Sequence, residues 1–130
     1  MEFKYRIYKE VYNDMLSEKK NIEFRLLNEK SESIKVGDTI KFIIIDDENK
    51  YLVTKVIDKF IYDDLDSLCD SDEYLNNNLD CSKEEFVSLF NKIFGEENVR
   101  NSKIVGFKIE INVSVDFELG EIYESSIKNK

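Results

Sequence analysis

Residues 103–117 alternate apolar and polar side chains over a length that only a long β-strand explains. Ile104, Phe107, Ile109, Ile111, Val113 and Val115 stand against Lys108, Glu110, Asn112 and Ser114. A period of two is the signature of a strand with one face turned to a core. Gly106 interrupts the run and marks a bulge or a close approach by another group. Residues 51–62 form a second long alternation, with Leu52, Thr54, Val56 and Asp58 on one side and Tyr51, Val53, Lys55, Ile57 and Lys59 on the other. Neither side is uniformly apolar, which predicts a change of buried face at a bulge or barrel corner. The rest of the chain must fit around these two bending strands.

Shorter elements follow from the same periodicities. Phe3, Tyr5 and Ile7 alternate with Lys4, Arg6 and Tyr8, predicting a first strand. Val11, Met15 and Leu16 recur at near-helical spacing, predicting a helix over residues 10–18 with Glu10, Asp14 and Glu18 outside its stripe. Residues 21–27 read as the second strand, 28–33 as a polar loop, and Gly37 as a positive-φ turn residue before a third strand at 39–45. Residues 46–49 make an acidic hairpin connection to the 51–62 strand. A short helix is expected around Leu65–Cys69, then an irregular loop containing Asn76-Asn77-Asn78. Ser82 with Glu85 three residues on is a capping box, opening a helix that ends at Gly95, with Phe86, Leu89, Phe90 and Ile93 as its core stripe. Residues 1–118 are read as one domain and 119–130 as a C-terminal extension.

Several function classes are excluded or disfavoured by composition. The 130 residues include no histidine, which removes Ser-His-Asp and Cys-His catalysis and every histidine-bearing zinc site. Cys69 and Cys81 are too few for a metal site and are expected as reduced packing residues. The acidic stretch from Asp63 to Asp80 lacks the spacing and glycine of a calcium loop, so neither a metal nor a cofactor is expected. No apolar run reaches the length of a membrane span and no signal-peptide region opens the chain, so a cytoplasmic location is expected. Net charge is −9, yet residues 1–60 carry 12 basic and 12 acidic side chains while 61–130 carry 7 and 16. That imbalance argues against an extended, sequence-indifferent nucleic-acid surface and leaves the neutral first half able to bind locally.

The densest chemistry lies in Lys20-Asn21-Ile22-Glu23-Phe24-Arg25. On a strand, Glu23 and Arg25 share one face while Ile22, Phe24 and Leu26 share the other. Lys20 sits where the helix end meets the strand start and can reach across the polar face. Arg25 offers a rigid fork of donors suited to carboxylates, phosphates and base edges, and Glu23 can hold that fork in place. The competing reading is a solvated, charged strand face with no function.

Taken in order, these elements resemble the ASCH domain of the PUA-like superfamily over about residues 3–115. The family signature G-x-K-x-x-E-x-R is similar to Glu18-Lys19-Lys20-Asn21-Ile22-Glu23-Phe24-Arg25, departing at the glycine, and Ile34-Lys35-Val36-Gly37-Asp38-Thr39-Ile40-Lys41-Phe42 resembles the family's I-K-x-G-D-x-I-x-F stretch. The resemblance implies an α+β fold, a small mixed five- to six-stranded β-barrel with two or three flanking helices, and a cleft lined by Lys20, Glu23 and Arg25. It implies a module that binds RNA or a nucleotide-like ligand. One branch of the family hydrolyses acetylcytidine with a lysine, a threonine and a glutamate. Lys20 matches the lysine, Glu23 stands at the threonine position, and residues 76–80 offer no equivalent of the glutamate. Two alternatives accompany the binding reading. One is a hydrolase of a modified nucleoside or related amide in which Lys20 and Glu23 share proton transfer. The other is a protein-interaction domain that meets a basic partner with the acidic segment 63–85.

Overall fold

The computed structural model describes residues 1–18, 20–76 and 81–116 in full, and the backbone of 121–124. In chain order the elements are β1 (Glu2–Ile7), α1 (Lys9–Leu16), β2 (Ile22–Leu26), α2 (Glu29–Ser33), β3 (Thr39–Ile44), β4 (Asp47–Tyr62), α3 (Leu65–Cys69), α4 (Asp72–Leu75), α5 (Lys83–Phe94), α6 (Glu96–Arg100), β5 (Ile104–Asp116) and β6 (Glu121–Glu124). The sheet runs β1-β3-β4-β5-β2, with β6 beside β5; only the β1–β3 pair is parallel. It curls into a half-barrel, so the fold is the expected α+β, PUA-like type.

The two long strands supply the curl. The β4–β5 register shifts between Val53 and Thr54 and again between Val56 and Asp58. Leu52 and Val56, before the second shift, belong to a core inside the half-barrel with Phe42, Ile40, Met15 and Phe107. Tyr62, after it, belongs to a second core beneath the later helices, with Ile22, Phe24, Leu68, Phe86 and Phe90. The expected change of buried face therefore falls at Val56–Asp58, because an inserted residue turns every following side chain over. Gly106 is the close approach: Phe24 and Phe60 both stand opposite it in register, and a Cβ there would lie 3.0 Å from the Phe24 ring.

Some local expectations are corrected. Residues 28–33 are not a loop, since Asn28 caps α2 by accepting from the Ser31 N–H at 2.9 Å while the Ser31 hydroxyl accepts from the Asn28 N–H at 2.8 Å. Ser31 also donates to the Leu26 carbonyl at 2.9 Å, fastening α2 to the end of β2. The far end of α2 is closed by Lys59, whose Nζ donates to the carbonyls of Ser31, Glu32 and Ile34 at 3.2, 3.0 and 2.7 Å. A helix of four or five residues has too few turns to show periodicity; the same holds for α4 and α6, so the described residues carry six helices where two or three were expected. On α5, Phe86 and Phe90 are buried as expected, but Leu89 is 53% and Ile93 40% exposed. Cys69 is buried as a packing residue whereas Cys81 is exposed.

Among the described residues no helix is long and apolar enough to cross a membrane. Lys19 and residues 77–80, 117–120 and 125–130 lie outside the described residues, and with them the ends of the expected strand and domain at 117 and 118 and most of the extension.

Candidate functional site

In the curled sheet, β1 and β2 end the five-strand path, and a cleft of about 340 Å³ opens beside them under α5. Residues of β1 pair with β3 through every second carbonyl: Met1 accepts from Thr39 and Ile7 from Ile45. The carbonyls of Lys4 and Arg6 therefore face the open edge. Cations from the opposite side take them. Arg25 Nη2 donates to the Arg6 carbonyl at 3.0 Å, and Lys30 Nζ donates to that of Lys4. Side chains, rather than a backbone ladder, bridge the seam.

Lys20, Glu23 and Arg25 meet on the floor of this cleft. Glu23 Oε1 lies 3.2 Å from Lys20 Nζ, and Oε2 accepts from Arg25 Nε at 3.2 Å and Nη2 at 3.1 Å. The solvated-face reading fails here, because the three side chains are only 11%, 7% and 18% exposed. Burial pushes the Glu23 pKa up, but the charges and hydrogen bonds of Lys20 and Arg25 outweigh it and hold the carboxyl below its usual range. Rings back both cations. The Arg25 guanidinium lies 4.2 Å from the Tyr5 ring centre and 5.9 Å from that of Phe94, and Lys20 Nζ lies 5.9 Å from Phe24. The Tyr5 hydroxyl is buried with no hydrogen-bond partner among the described residues, and its ring lies as a plate beneath Arg25.

Lys20 reaches the floor because the chain leaves α1 through a left-handed residue. Glu18 has φ of 64°, and the Lys20 N–H returns to the Asp14 carbonyl at 3.1 Å. The glycine of the signature falls on this position, and a positive φ is what a glycine accommodates without steric cost. Glu18→Gly is expected to raise unfolding free energy by up to about 1 kcal/mol, measured by urea denaturation; a loss of 1 kcal/mol or more would contradict the reading of strain at this turn.

The wall formed by α5 is apolar. Phe86, Phe90 and Phe94 line it from α5 together with Leu89 and Ile93, the two stripe residues that do not enter the core. Amphipathic spacing identified this stripe but could not tell a core from a cleft wall. Arg6 and Asp14 also line the cleft, giving three cations against two carboxylates in a chain of net charge −9. Arg6 is paired with Glu48 at 2.7 Å in solvent.

Chemically, the trio suits binding better than proton transfer. Both Glu23 oxygens are engaged by cations, and a carboxylate held below its usual range is a poor general base. In the acidic segment, Asp64 caps α3 by accepting from the Ser67 N–H, and Asp63 pairs with Lys103 across 3.5 Å of exposed surface. Both have local partners. No cluster of three or more metal-ligating side chains occurs among the described residues.

No protein-family model and no curated protein matches the chain. Solved structures do. Hypothetical protein PH0355 is 26% identical with a TM-score of 0.71, covering 85% of this chain and 99% of its own. Protein PF0455 from Pyrococcus furiosus is 28% identical with a TM-score of 0.66, covering 85% and 97%. The ASCH protein from Zymomonas mobilis is 10% identical with a TM-score of 0.55, covering 96% and 87%. The chain has the ASCH-domain fold.

Proposed function

We propose that this ASCH-fold protein binds a nucleobase-bearing ligand, a nucleotide or a single unstacked residue of RNA, in the cleft between β1 and β2. The observation that carries the reading is the trio itself: two half-buried cations held by one buried carboxylate at the floor of a cleft whose α5 wall is aromatic and aliphatic. Small-ligand sites have this character, mostly apolar with a few fixed polar groups, in volumes of about 300–1,000 Å³. At about 340 Å³ the cleft suits one nucleoside rather than a helix. The wall of α5 supplies faces on which a base can stack, and Lys20 and Arg25 supply donors for base oxygens or a phosphate. Glu23 orients both. A net charge of −9 opposes long phosphate contacts, which concentrates recognition on a single residue.

Titration of isotope-labelled protein with nucleosides, nucleoside monophosphates and short single-stranded RNAs tests the proposal. Resonances of Lys20, Glu23, Arg25, Leu89 and Ile93 are expected to move together with one dissociation constant. Leu89→Ser separates the wall from the core. Because Leu89 is exposed, stability is expected to stay within about 0.5 kcal/mol while affinity falls by about threefold to tenfold. Cleft resonances that stay fixed at millimolar ligand would end the reading.

A further inference from the structure

Resting on that reading, we infer that the ligand carries a phosphate, and that Arg25 and Lys30 hold it at the β1 edge where the cleft ends. Three cations, Lys20, Arg25 and Lys30, gather along the seam between β1 and β2. The carboxylate set among them, Glu23, is already shared by Lys20 and Arg25. Asp14, the other carboxylate lining the cleft, stands on α1 at the Lys20 end, where its carbonyl accepts from the Lys20 N–H at 3.1 Å. Along the β1 edge itself, positive charge is therefore in excess, in a chain whose net charge is −9.

The Tyr5 ring fixes how near Arg25 and Lys30 lie to each other. Lys30 Nζ is 4.1 Å and Arg25 Cζ 4.2 Å from its centre, so the two charges are no farther apart than those distances taken together. They also share one side of the ring. Phe42 comes from β3 and stacks on Tyr5, with ring centres 6.2 Å apart and planes at 19°. Lys30 and Arg25 instead reach the carbonyls of Lys4 and Arg6, which face away from β3. Two positive charges thus sit over one aromatic face.

No carboxylate among the described residues pairs with Lys30. Burial, and after it the charge of Arg25, hold its pKa below the usual lysine value. An edge carbonyl needs a donor and not a charge, and a neutral amide side chain would close that of Lys4 without setting a second cation beside Arg25. An anion near both removes their repulsion and gives Lys30 the partner it lacks. On a ligand that bears a nucleobase, that anion is a phosphate, which lysine meets as a point charge and arginine with its fork of donors. Arg25 lines the cleft and Lys30 stands beyond it, so the phosphate falls beside the base and not in its place. Lys30 is exposed, which lets the phosphate keep part of its hydration.

Calorimetric titration with uridine and adenosine, their 5′- and 3′-monophosphates, and inorganic phosphate tests the assignment, with the cleft and the Lys30 and Arg25 side-chain resonances as a second readout. At low salt the better monophosphate of each base is expected to bind at least about tenfold more tightly than its nucleoside, an advantage that falls as salt is added. Lys30→Gln is expected to lower monophosphate affinity by about threefold to tenfold while nucleoside affinity stays within about twofold, and Lys30→Arg, which keeps the charge, to restore most of the loss. Monophosphates that bind no better than nucleosides would overturn the phosphate site and leave the base site standing. So would a Lys30→Gln variant that weakens both classes alike, since Lys30 would then act through the fold. If inorganic phosphate shifts the Lys30 and Arg25 signals while no nucleoside moves the cleft, the anion site stands and the base reading falls. Silence from every probe at millimolar concentration removes both.

Discussion

Glu23→Ala is expected to lower the unfolding free energy by about 2–4 kcal/mol, because it leaves two half-buried cations side by side without the carboxylate that joins them. The expectation comes from burial rather than from the ion pairs alone. An exposed pair contributes little, but Lys20 and Arg25 are 11% and 18% exposed, and neither can recover full hydration without opening the seam. Glu23→Gln keeps the shape and one acceptor oxygen and is expected to lose less. Urea denaturation measures both. An alanine variant within 1 kcal/mol of the wild type would show that the cations relax into water and that the floor is not preorganised.

The same residue makes a pH prediction whose sign follows from the direction of its shift. The folded-state pKa of Glu23 lies below the ordinary value of 4.5, so folding favours the ionised form. The stability it contributes is fully present above the unfolded value and is lost as pH falls through the folded one. The stability difference between wild type and Glu23→Gln is therefore expected to be constant at neutral pH and to shrink below about pH 4.5. A difference that grows on acidification would reverse the assignment.

Arg25→Ala is expected to cost about 1–3 kcal/mol, less than the loss of Glu23 because Lys20 and Glu23 remain as a neutral pair. What disappears is the bidentate contact with Glu23, the bond to the Arg6 carbonyl and the packing against Tyr5. Arg25→Lys restores the charge but not the fork. A single ammonium cannot occupy the Glu23 carboxylate, the Arg6 carbonyl and a ligand with the geometry of a guanidinium. The lysine variant is expected to recover part of the stability and little of the ligand affinity. Hydrogen exchange gives the structural readout: amides of β1 and β2 are expected to lose protection in Arg25→Ala while those in the middle of β4 keep theirs. Uniform protection in the variant would mean that the seam is held by other contacts.

Much of this architecture was legible beforehand because it is written in local periodicity. The alternation of Phe107, Ile109, Ile111, Val113 and Val115 predicts one long strand, and its structure runs Ile104–Asp116. Ser82 and Glu85 predict the start of α5, and Gly95 its end, where φ is 89°. The signals that failed were shorter than one period or depended on distance. The Asn28–Ser31 capping box went unread because nothing periodic followed it, and α2 is its consequence.

The candidate site divides along the same line. Sequence spacing alone determined that Glu23 and Arg25 share a face and that Lys20 stands close enough to join them, because a strand's side chains alternate whatever surrounds them. It also determined the apolar stripe of α5. Only the tertiary structure decided that the polar face of β2 is covered, that Arg25 reaches a carbonyl 19 residues away, and that Leu89 and Ile93 line a cleft instead of entering the core. The physical reason is that periodicity records which groups avoid water together, whereas what excludes the water, another part of the chain or a bound ligand, depends on how the sheet curls.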